Sequence, residues 1–412
     1  MTGQSARNES SPMASLHRRC LVVTAALLAL GSGAVVRAAD TGTTPNLMYV
    51  GTLDHKLLVF DEDKEAVVGE IQLAGVPRTT VLSADQKLLY IVNTKMTIEI
   101  VDLAARKVVG AIDLTEEHAQ PSISSDNVRN WMNGADSVPR FSGVAVDPAG
   151  HFLYATIRVV RKEKDEYILE APKFVVVNLD TKTVQKSFDF PKGYDTGFGF
   201  LASFKVSPDG KYLYVFDEDI KIFDLATFTV VDSIPLSKPP YPGASAYRLA
   251  AMNDPNDDKT TVSSVFISVD PVVHKGTVGL ASLNMLTREV KYTPIGPALP
   301  MMGFMLSPDR KLGYSVMYSG SSENRFTEWW VWDLETHQVI KKAPFDSRPT
   351  FSYGISSDGS KLYLYGSGST IEVYNAKTLT SDNVIFVNKD LTTDIVTLAS
   401  SDKPAVAASQ TQ

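Results

Sequence analysis

One sequence pattern occurs five times along the chain, and this repetition constrains the fold more than any other feature. Each copy has an apolar segment, a turn rich in Ser, Pro, Asp or Gly, and a segment that alternates aromatic and aliphatic residues. The copies are VLSADQKLLYIV (81–92), VAVDPAGHFLYAT (144–156), ASFKVSPDGKYLYVF (202–216), MGFMLSPDRKLGYSV (302–316) and GISSDGSKLYLYG (354–366). Alternation with a period of two, enriched in β-branched and aromatic residues, predicts strands joined by tight turns.

A second landmark completes the repeat, because seven alternating segments end in Asp or Asn. These end points are Asp61, Asp102, Asn178, Asp224, Asn284, Asp333 and Asn375. Their recurrence predicts an all-β fold, a seven-bladed β-propeller of four-stranded antiparallel blades. The segment LMYVG (47–51) matches the second strand of a blade, so the first strand of blade one must come from elsewhere. We expect DIVTLAS (394–400) to supply it and to close the ring.

The two ends of the chain lie outside the predicted propeller. Residues 1–38 have arginines before a short apolar run and small residues near position 38, which predicts a signal peptide. HRRCLV (17–22) resembles the twin-arginine export motif, and general secretion stays open as the alternative. We predict a linker at 39–46, the propeller at 47–400 and a disordered tail at 401–412. The expected location is the periplasm, with secretion or the cell surface as alternatives, and no membrane span is expected after leader removal.

Charge and cysteine content narrow the function. The chain has one cysteine, Cys20, which lies in the predicted leader. The remainder therefore has no disulfide, thiol nucleophile or Cys-x-x-Cys-His haem attachment motif. Residues 1–38 carry four arginines and one glutamate, so the net charge of −7 becomes −10 without them. With this charge and without a run of Lys and Arg, we expect no nucleic-acid binding.

The length of the connections predicts which surface of the disc is functional. In a four-stranded blade, the first-to-second and third-to-fourth turns lie on one face, which we call the uniform face because these turns are short and similar. The other connections lie on the long-loop face, where nearly all length variation occurs, for example at 115–140, 158–173 and 237–247. Because loops carry function more often than packed strands, we expect partners or ligands on the long-loop face.

No catalytic constellation stands out, so the candidate residues are contact residues. The candidates for a partner or ligand face are His118, Trp131, Tyr167, Tyr194, Phe198 and Tyr241. One loop offers oxygen ligands that could hold Ca²⁺, at Asp254, Asn256, Asp257 and Asp258, although it lacks the EF-hand spacing and the distal Glu. Elsewhere we expect no metal. Trp329, Trp330 and Trp332 are interpreted as core between blades.

Two stretches go beyond a generic propeller. Both resemble the β subunit of quinohaemoprotein amine dehydrogenases. The first stretch consists of FSGVAVDPAGHFLYATI (141–157) with DEYILEAPKFVVVN (165–178), and the second of GSKLYLYGSGSTIEVYNAKTL (359–379) with DLTTDIVTL (390–398). IVNT (91–94) is similar to the YVTN tetrapeptide for which the YVTN-type propellers are named. The resemblance implies a periplasmic propeller without a redox centre or covalent cofactor of its own. It further implies two partners, a dihaem cytochrome and a small subunit that bears a cysteine-derived tryptophylquinone.

The leading hypothesis is therefore a non-catalytic propeller subunit or accessory protein of an amine-dehydrogenase-like system. Two alternatives stay open. One is a stand-alone propeller enzyme, such as a lactonase-like hydrolase. The other is a cell-surface or binding propeller of the YVTN type.

Overall fold

The computed structural model describes residues 46–113, 137–190, 203–216, 219–236, 259–297, 301–320, 324, 326–346, 351–366 and 368–398. Within these residues the chain forms 28 strands: β1 (Leu47–Thr52), β2 (Lys56–Asp61), β3 (Ala66–Gln72), β4 (Pro77–Leu82), β5 (Leu88–Asn93), β6 (Thr97–Asp102), β7 (Lys107–Asp113), β8 (Ser137–Val146), β9 (Phe152–Lys162), β10 (Tyr167–Leu169), β11 (Lys173–Asn178), β12 (Thr183–Asp189), β13 (Ser203–Val206), β14 (Tyr212–Phe216), β15 (Ile220–Asp224), β16 (Val230–Ile234), β17 (Thr261–Val269), β18 (Gly276–Asn284), β19 (Val290–Pro297), β20 (Met301–Leu306), β21 (Leu312–Ser319), β22 (Phe326–Asp333), β23 (Gln338–Phe345), β24 (Ser352–Ile355), β25 (Lys361–Tyr365), β26 (Thr370–Asn375), β27 (Ser381–Phe386) and β28 (Leu391–Thr397). No helix among these residues is long and apolar enough to cross a lipid bilayer.

The strands form seven antiparallel sheets arranged as the blades of a propeller, which confirms the predicted fold. The strand orders are β28-β1-β2-β3, β4-β5-β6-β7, β8-β9-β11-β12 with β10 beside β9, β13-β14-β15-β16, β17-β18-β19, β20-β21-β22-β23 and β24-β25-β26-β27. Blade five shows three strands among the described residues, and the stretch 237–258 before it lies outside them. The other blades have four strands, and blade three has the additional strand β10.

The ring is closed as predicted, by a strand from the end of the chain that is innermost in blade one. β28 pairs antiparallel with β1, with Met48 opposite Thr397 and Thr52 opposite Leu391. The strand begins at Leu391, three residues before the predicted start at position 394. An irregularity in the register between Val50 and Thr52 lets Leu391 reach the end of β1.

The core lies between the blades and not within one layer. Seven clusters of buried apolar side chains occur in the described residues, one at each junction of neighbouring blades. Trp329 lies in the cluster between blades six and seven, whereas Trp330 and Trp332 lie in the cluster between blades five and six. All three side chains are buried, which confirms their assignment to the core. At the closing junction, Met48 of blade one packs with Tyr363 of blade seven.

Local hydrogen bonds explain why the two sequence landmarks recur. At all seven end points the Asp or Asn side chain accepts a backbone N–H from two or three residues further on, which shapes the third-to-fourth turn. In the Ser-x-Asp turns, the Ser hydroxyl donates to the Asp carboxylate and accepts the N–H of the following strand. In blade four, Ser207 Oγ lies 2.6 Å from Asp209 Oδ1 and 2.9 Å from the Tyr212 nitrogen. Each turn is therefore satisfied by its own residues.

A buried carboxylate joins blades one and seven on the uniform face. Glu62, 3% exposed, accepts hydrogen bonds from the Ser357 hydroxyl (2.6 Å) and backbone N–H (3.1 Å). Burial raises the pKa of Glu62. The pKa of the neighbouring Glu65 is shifted in the opposite direction. A hydrogen bond from the Lys361 ammonium, 2.8 Å away, lowers it.

These opposite shifts predict opposite pH dependences. Protonated Glu62 is favoured by folding, so its contribution to stability is present below its unfolded pKa and is lost as the pH rises through the folded pKa. Relative to Glu62→Gln, the wild type should therefore gain about 2 °C in Tm as the pH falls from 8 to 4. Glu65→Gln is the matched control. The wild type should lose stability relative to this control over the same range, because a carboxylate with a lowered folded pKa stabilises only while it is ionised.

Thermal unfolding of the wild type, Glu62→Gln and Glu65→Gln between pH 4 and 8 measures how the Tm difference between the wild type and each variant changes with pH. A difference in Tm between wild type and Glu62→Gln that stays constant with pH would contradict the assignment of a raised pKa to Glu62.

Candidate functional site on the long-loop face

The strand bounds define the two faces of the disc. On the uniform face, every first-to-second and third-to-fourth turn between described strands has four or five residues. On the long-loop face, the described connections range from three residues at 53–55 to six at 270–275, and the undescribed stretch between β7 and β8 has 23 residues. The predicted contrast between the two faces is therefore present in the fold.

Exposed apolar side chains are concentrated on the long-loop face. Eleven of those in the described residues lie in its connections or in the strand ends that border them: Leu53, Tyr167, Ile168, Leu169, Ile267, Val269, Val272, Val273, Tyr318, Phe326 and Phe386. Leu286 is the single large apolar side chain exposed in a described turn of the uniform face. The remaining exposed ones, Val109, Val231, Ile340 and Val384, lie on outermost strands. Apolar exposure that is concentrated on one face favours a contact surface there.

Blade three projects a hairpin from this face. β9 continues past the blade to Lys162, and the chain returns through β10, which pairs with the projecting end of β9. A charged pair fixes the base of the hairpin, with Arg161 Nε 2.8 Å and Nη2 2.5 Å from Glu170 Oε1. Tyr167, one of the predicted contact residues, is 72% exposed at this hairpin.

Blade five presents an apolar dipeptide that the sequence analysis missed. Val272 and Val273 are 81% and 60% exposed in the turn between β17 and β18. The Asp270 carboxylate accepts the N–H groups of Val272 (2.7 Å) and Val273 (2.9 Å), and these bonds lower the pKa of Asp270. The backbone of the turn is thus held in place while its two apolar side chains face solvent. The signal was available in DPVVHK (270–275), where two valines stand between turn-forming residues.

The long-loop ends of blades one and two are joined by polar contacts. Glu99, 3% exposed, accepts hydrogen bonds from the Ala74 N–H (3.0 Å) and from Asn93 Nδ2 (2.7 Å). Ala74 belongs to the connection between the two blades, so Glu99 ties that connection to β6. In the connection that leads from blade seven to blade one, Lys389 Nζ lies 2.9 Å from Asp54 Oδ2, and hydrogen bonds from Thr52 and Lys389 lower the pKa of Asp54. Asp54 and Lys389 are thus paired with each other, whereas Glu99 is bonded by neutral donors, and all three shape the scaffold.

Most of the predicted contact residues lie outside the described residues. This applies to His118, Trp131, Tyr194, Phe198 and Tyr241, and also to the Ca²⁺ candidates Asp254, Asn256, Asp257 and Asp258. Their roles stay predictions. Among the residues that are described, no group of three or more His, Cys, Asp and Glu side chains is placed to hold a metal ion.

Comparisons with known proteins identify the fold. No protein-family model and no curated protein sequence matches the chain. A functionally unknown protein from Desulfotomaculum acetoxidans DSM 771 is 11% identical, with a TM-score of 0.50 over 86% of this chain and 99% of that one. At this identity the likeness concerns the propeller fold alone.

Two further solved structures are similar at lower TM-scores. Dihydro-heme d1 dehydrogenase NirN in complex with DHE is 15% identical, with a TM-score of 0.46 over 84% of this chain and 74% of that one. Kuenenia stuttgartiensis hydrazine synthase is also 15% identical, with a TM-score of 0.44 over 86% and 99% of the two chains.

Proposed function

We propose that this chain is an exported, non-catalytic propeller subunit or accessory protein of an amine-dehydrogenase-like periplasmic oxidoreductase system. Its role is to dock redox partners on the long-loop face. The redox centres belong to the partners, a dihaem cytochrome and a small subunit with a tryptophylquinone. The chain itself contributes a rigid scaffold with a docking surface for these partners.

The observation that carries this proposal is the one-sided exposure of apolar side chains. A stable protein interface needs an apolar centre of well-ordered residues, and the propeller holds such residues on firm strand ends and short turns. Tyr167 and Val273 lie in blades three and five, so the surface is broad and is not confined to the mouth of a central channel. The resemblance of 141–178 and 359–398 to the amine dehydrogenase β subunit supplies the identity of the partners.

Capture from the periplasm of the native host tests the proposal. The tagged chain is isolated under mild conditions, and haem absorbance and quinone staining of the co-purified proteins are measured. We expect both signals with the wild type. The double variant Tyr167→Asp, Val273→Asp should lose about 90% or more of them, because two buried charges are costly in an apolar interface.

Leu286→Asp is the matched control, since Leu286 is similarly exposed but lies on the uniform face. It should retain the wild-type signal. Recovery of the wild-type chain alone, without haem or quinone, would contradict the proposed function. An equal loss with Leu286→Asp would contradict the assignment of the face.

A further inference from the structure

The projecting hairpin of blade three has an edge whose backbone groups have no strand partner among the residues that the structure describes. Glu163 donates its N–H to the Glu166 carbonyl (2.8 Å), and Glu170 donates its N–H to the Val159 carbonyl (2.9 Å). In an antiparallel pair, hydrogen-bonded positions alternate with non-bonded ones, so Ile168 bonds across to Arg161 between these two points. The N–H and C=O groups of Tyr167 and Leu169 therefore point away from β9.

No described strand occupies this second edge of β10. β12 pairs with the outer edge of β11, but it ends at Asp189, opposite Lys173. β10 continues the line of β11 beyond this point, and its residues are exposed: Tyr167 by 72%, Ile168 by 37% and Leu169 by 51%. An apolar edge with outward backbone groups is the arrangement that pairs with an added strand.

We infer that β10 is a strand-addition site that takes an extended segment of a partner protein, with alternating β-branched residues and a Lys or Arg at the end that lies against Glu166. The backbone groups of Tyr167 and Leu169 would bond the added strand, while their side chains, on one face, would contact its apolar residues. The inference deepens the proposed function and rests on it for the identity of the partner, since it states how that partner is held.

Charge selects this occupant over a second copy of the chain. The tip at 163–166 carries three acidic residues and one lysine, so the end of an added strand beside Glu166 meets negative charge. At the other end Glu170 is already paired with Arg161. Antiparallel pairing of β10 with another β10 about Ile168 would place Glu166 opposite Glu170 of the copy, at two symmetric positions. Like charges directly opposite each other are destabilising, so a basic partner segment fits better.

Two synthetic peptides test the inference with the full chain. The probe is fluorescein-labelled Lys-Thr-Val-Thr-Val-Thr-Lys, and its matched control has Glu at both ends. We expect the basic peptide to bind at least about tenfold more tightly at low ionic strength, with a difference that shrinks as salt is added. With selective ¹⁵N labelling of Tyr and Leu, amide exchange at Tyr167 and Leu169 should be fast in the free chain and slow in the complex.

A pair of variants separates backbone pairing from side-chain contact. Leu169→Pro removes an outward N–H without touching the ladder to β9, and should weaken peptide binding by about tenfold or more. Leu169→Ala keeps that N–H and should weaken binding by only about threefold. Both variants should retain the wild-type Tm, which shows that the blade is intact.

Several results would overturn the inference. These are equal losses for the two variants, no binding of the basic peptide, protection of Tyr167 and Leu169 in the free chain, or dimerisation of the chain that Leu169→Pro abolishes. Because the peptide assay contains no periplasmic partner, its failure leaves the haem and quinone capture standing. Conversely, peptide binding without haem or quinone capture would mean that the edge is real and the proposed partners are wrong.

Discussion

A chain that ends at Asp390 is expected to lose its cooperative unfolding transition. Such a chain lacks β28, and with it the ladder to Met48, Tyr49, Val50 and Thr52 of β1. It also loses Leu391 from the junction of blades seven and one, and Val396 and Leu398 from the junction of blades one and two. Leu391 is buried, whereas Val396 and Leu398 are partly buried. At about 1.5–3 kcal/mol for a fully buried side chain, the three account for at most about 5–9 kcal/mol. That loss is comparable to the whole net stability of a typical domain, about 5–15 kcal/mol.

Two controls isolate the role of the closing strand. A chain that ends at Leu398 keeps β28 and should retain the wild-type Tm within about 2 °C. A permuted chain that carries 391–398 before residue 46, joined by a short linker, should also fold, because Thr397 lies opposite Met48 and the linker spans a tight turn.

Thermal scans, near-ultraviolet circular dichroism of the buried tryptophans and limited proteolysis measure the outcome. A truncated chain that unfolds cooperatively near the wild-type Tm would mean that the ring does not depend on closure through blade one.

The second large effect is expected at Gly279, in β18. A Cβ at this position would lie 2.5 Å from Cε1 and Cζ of Phe266, and 2.5 Å from the backbone oxygen of Thr293. Phe266 is fully buried, and the Thr293 oxygen belongs to the neighbouring strand β19. Neither can move away without disturbing blade five, so Gly279→Ala should cost about 3 kcal/mol of stability. We expect the Tm to fall by about 5 °C or more.

Gly296→Ala is the control in the same blade. The nearest atom to a Cβ there is Cζ3 of Trp332 at 4.0 Å, which is ordinary van der Waals contact, so this variant should be nearly neutral. Phe266→Leu should fail to rescue Gly279→Ala, because the clash with the Thr293 oxygen remains. A Tm of Gly279→Ala equal to that of Gly296→Ala would show that blade five is packed less closely than the distances indicate.

Much of the fold could be predicted because its repeating parts are satisfied locally. Asp224 caps its turn through residues 226 and 227, and Ser207 bonds Asp209 and Tyr212. Such contacts span two to five residues, so the same short sequence motif recurs wherever the same turn is formed. The closing strand was predictable for a related reason, since LMYVG requires a neighbour that no preceding segment supplies. Its start was misplaced by three residues, because a register irregularity beside Val50 is not written in the strand pattern.

The candidate site was predictable only in outline. Loop lengths pointed to the long-loop face, and an aromatic residue in a charged hairpin singled out Tyr167. The sequence analysis did not identify Val272 and Val273, because a pair of valines reads equally well as the end of a strand. Nor did it find Glu99, whose partner Ala74 is 25 residues away and carries no distinctive side chain.

The sequence by itself therefore determined the seven repeats, the order of their strands and the chemistry of their turns. Each of these depends on hydrogen bonds and on alternation over a few neighbouring residues. The pairing of Glu62 with Ser357, 295 residues apart, arose only when the ring closed. The exposed edge of β10 depends on where β12 ends beside β11, which the strand pattern does not show. Burial and exposure are properties of a surface that forms once distant segments meet. For that reason the contact surface of this protein, unlike its architecture, had to be read from the folded molecule.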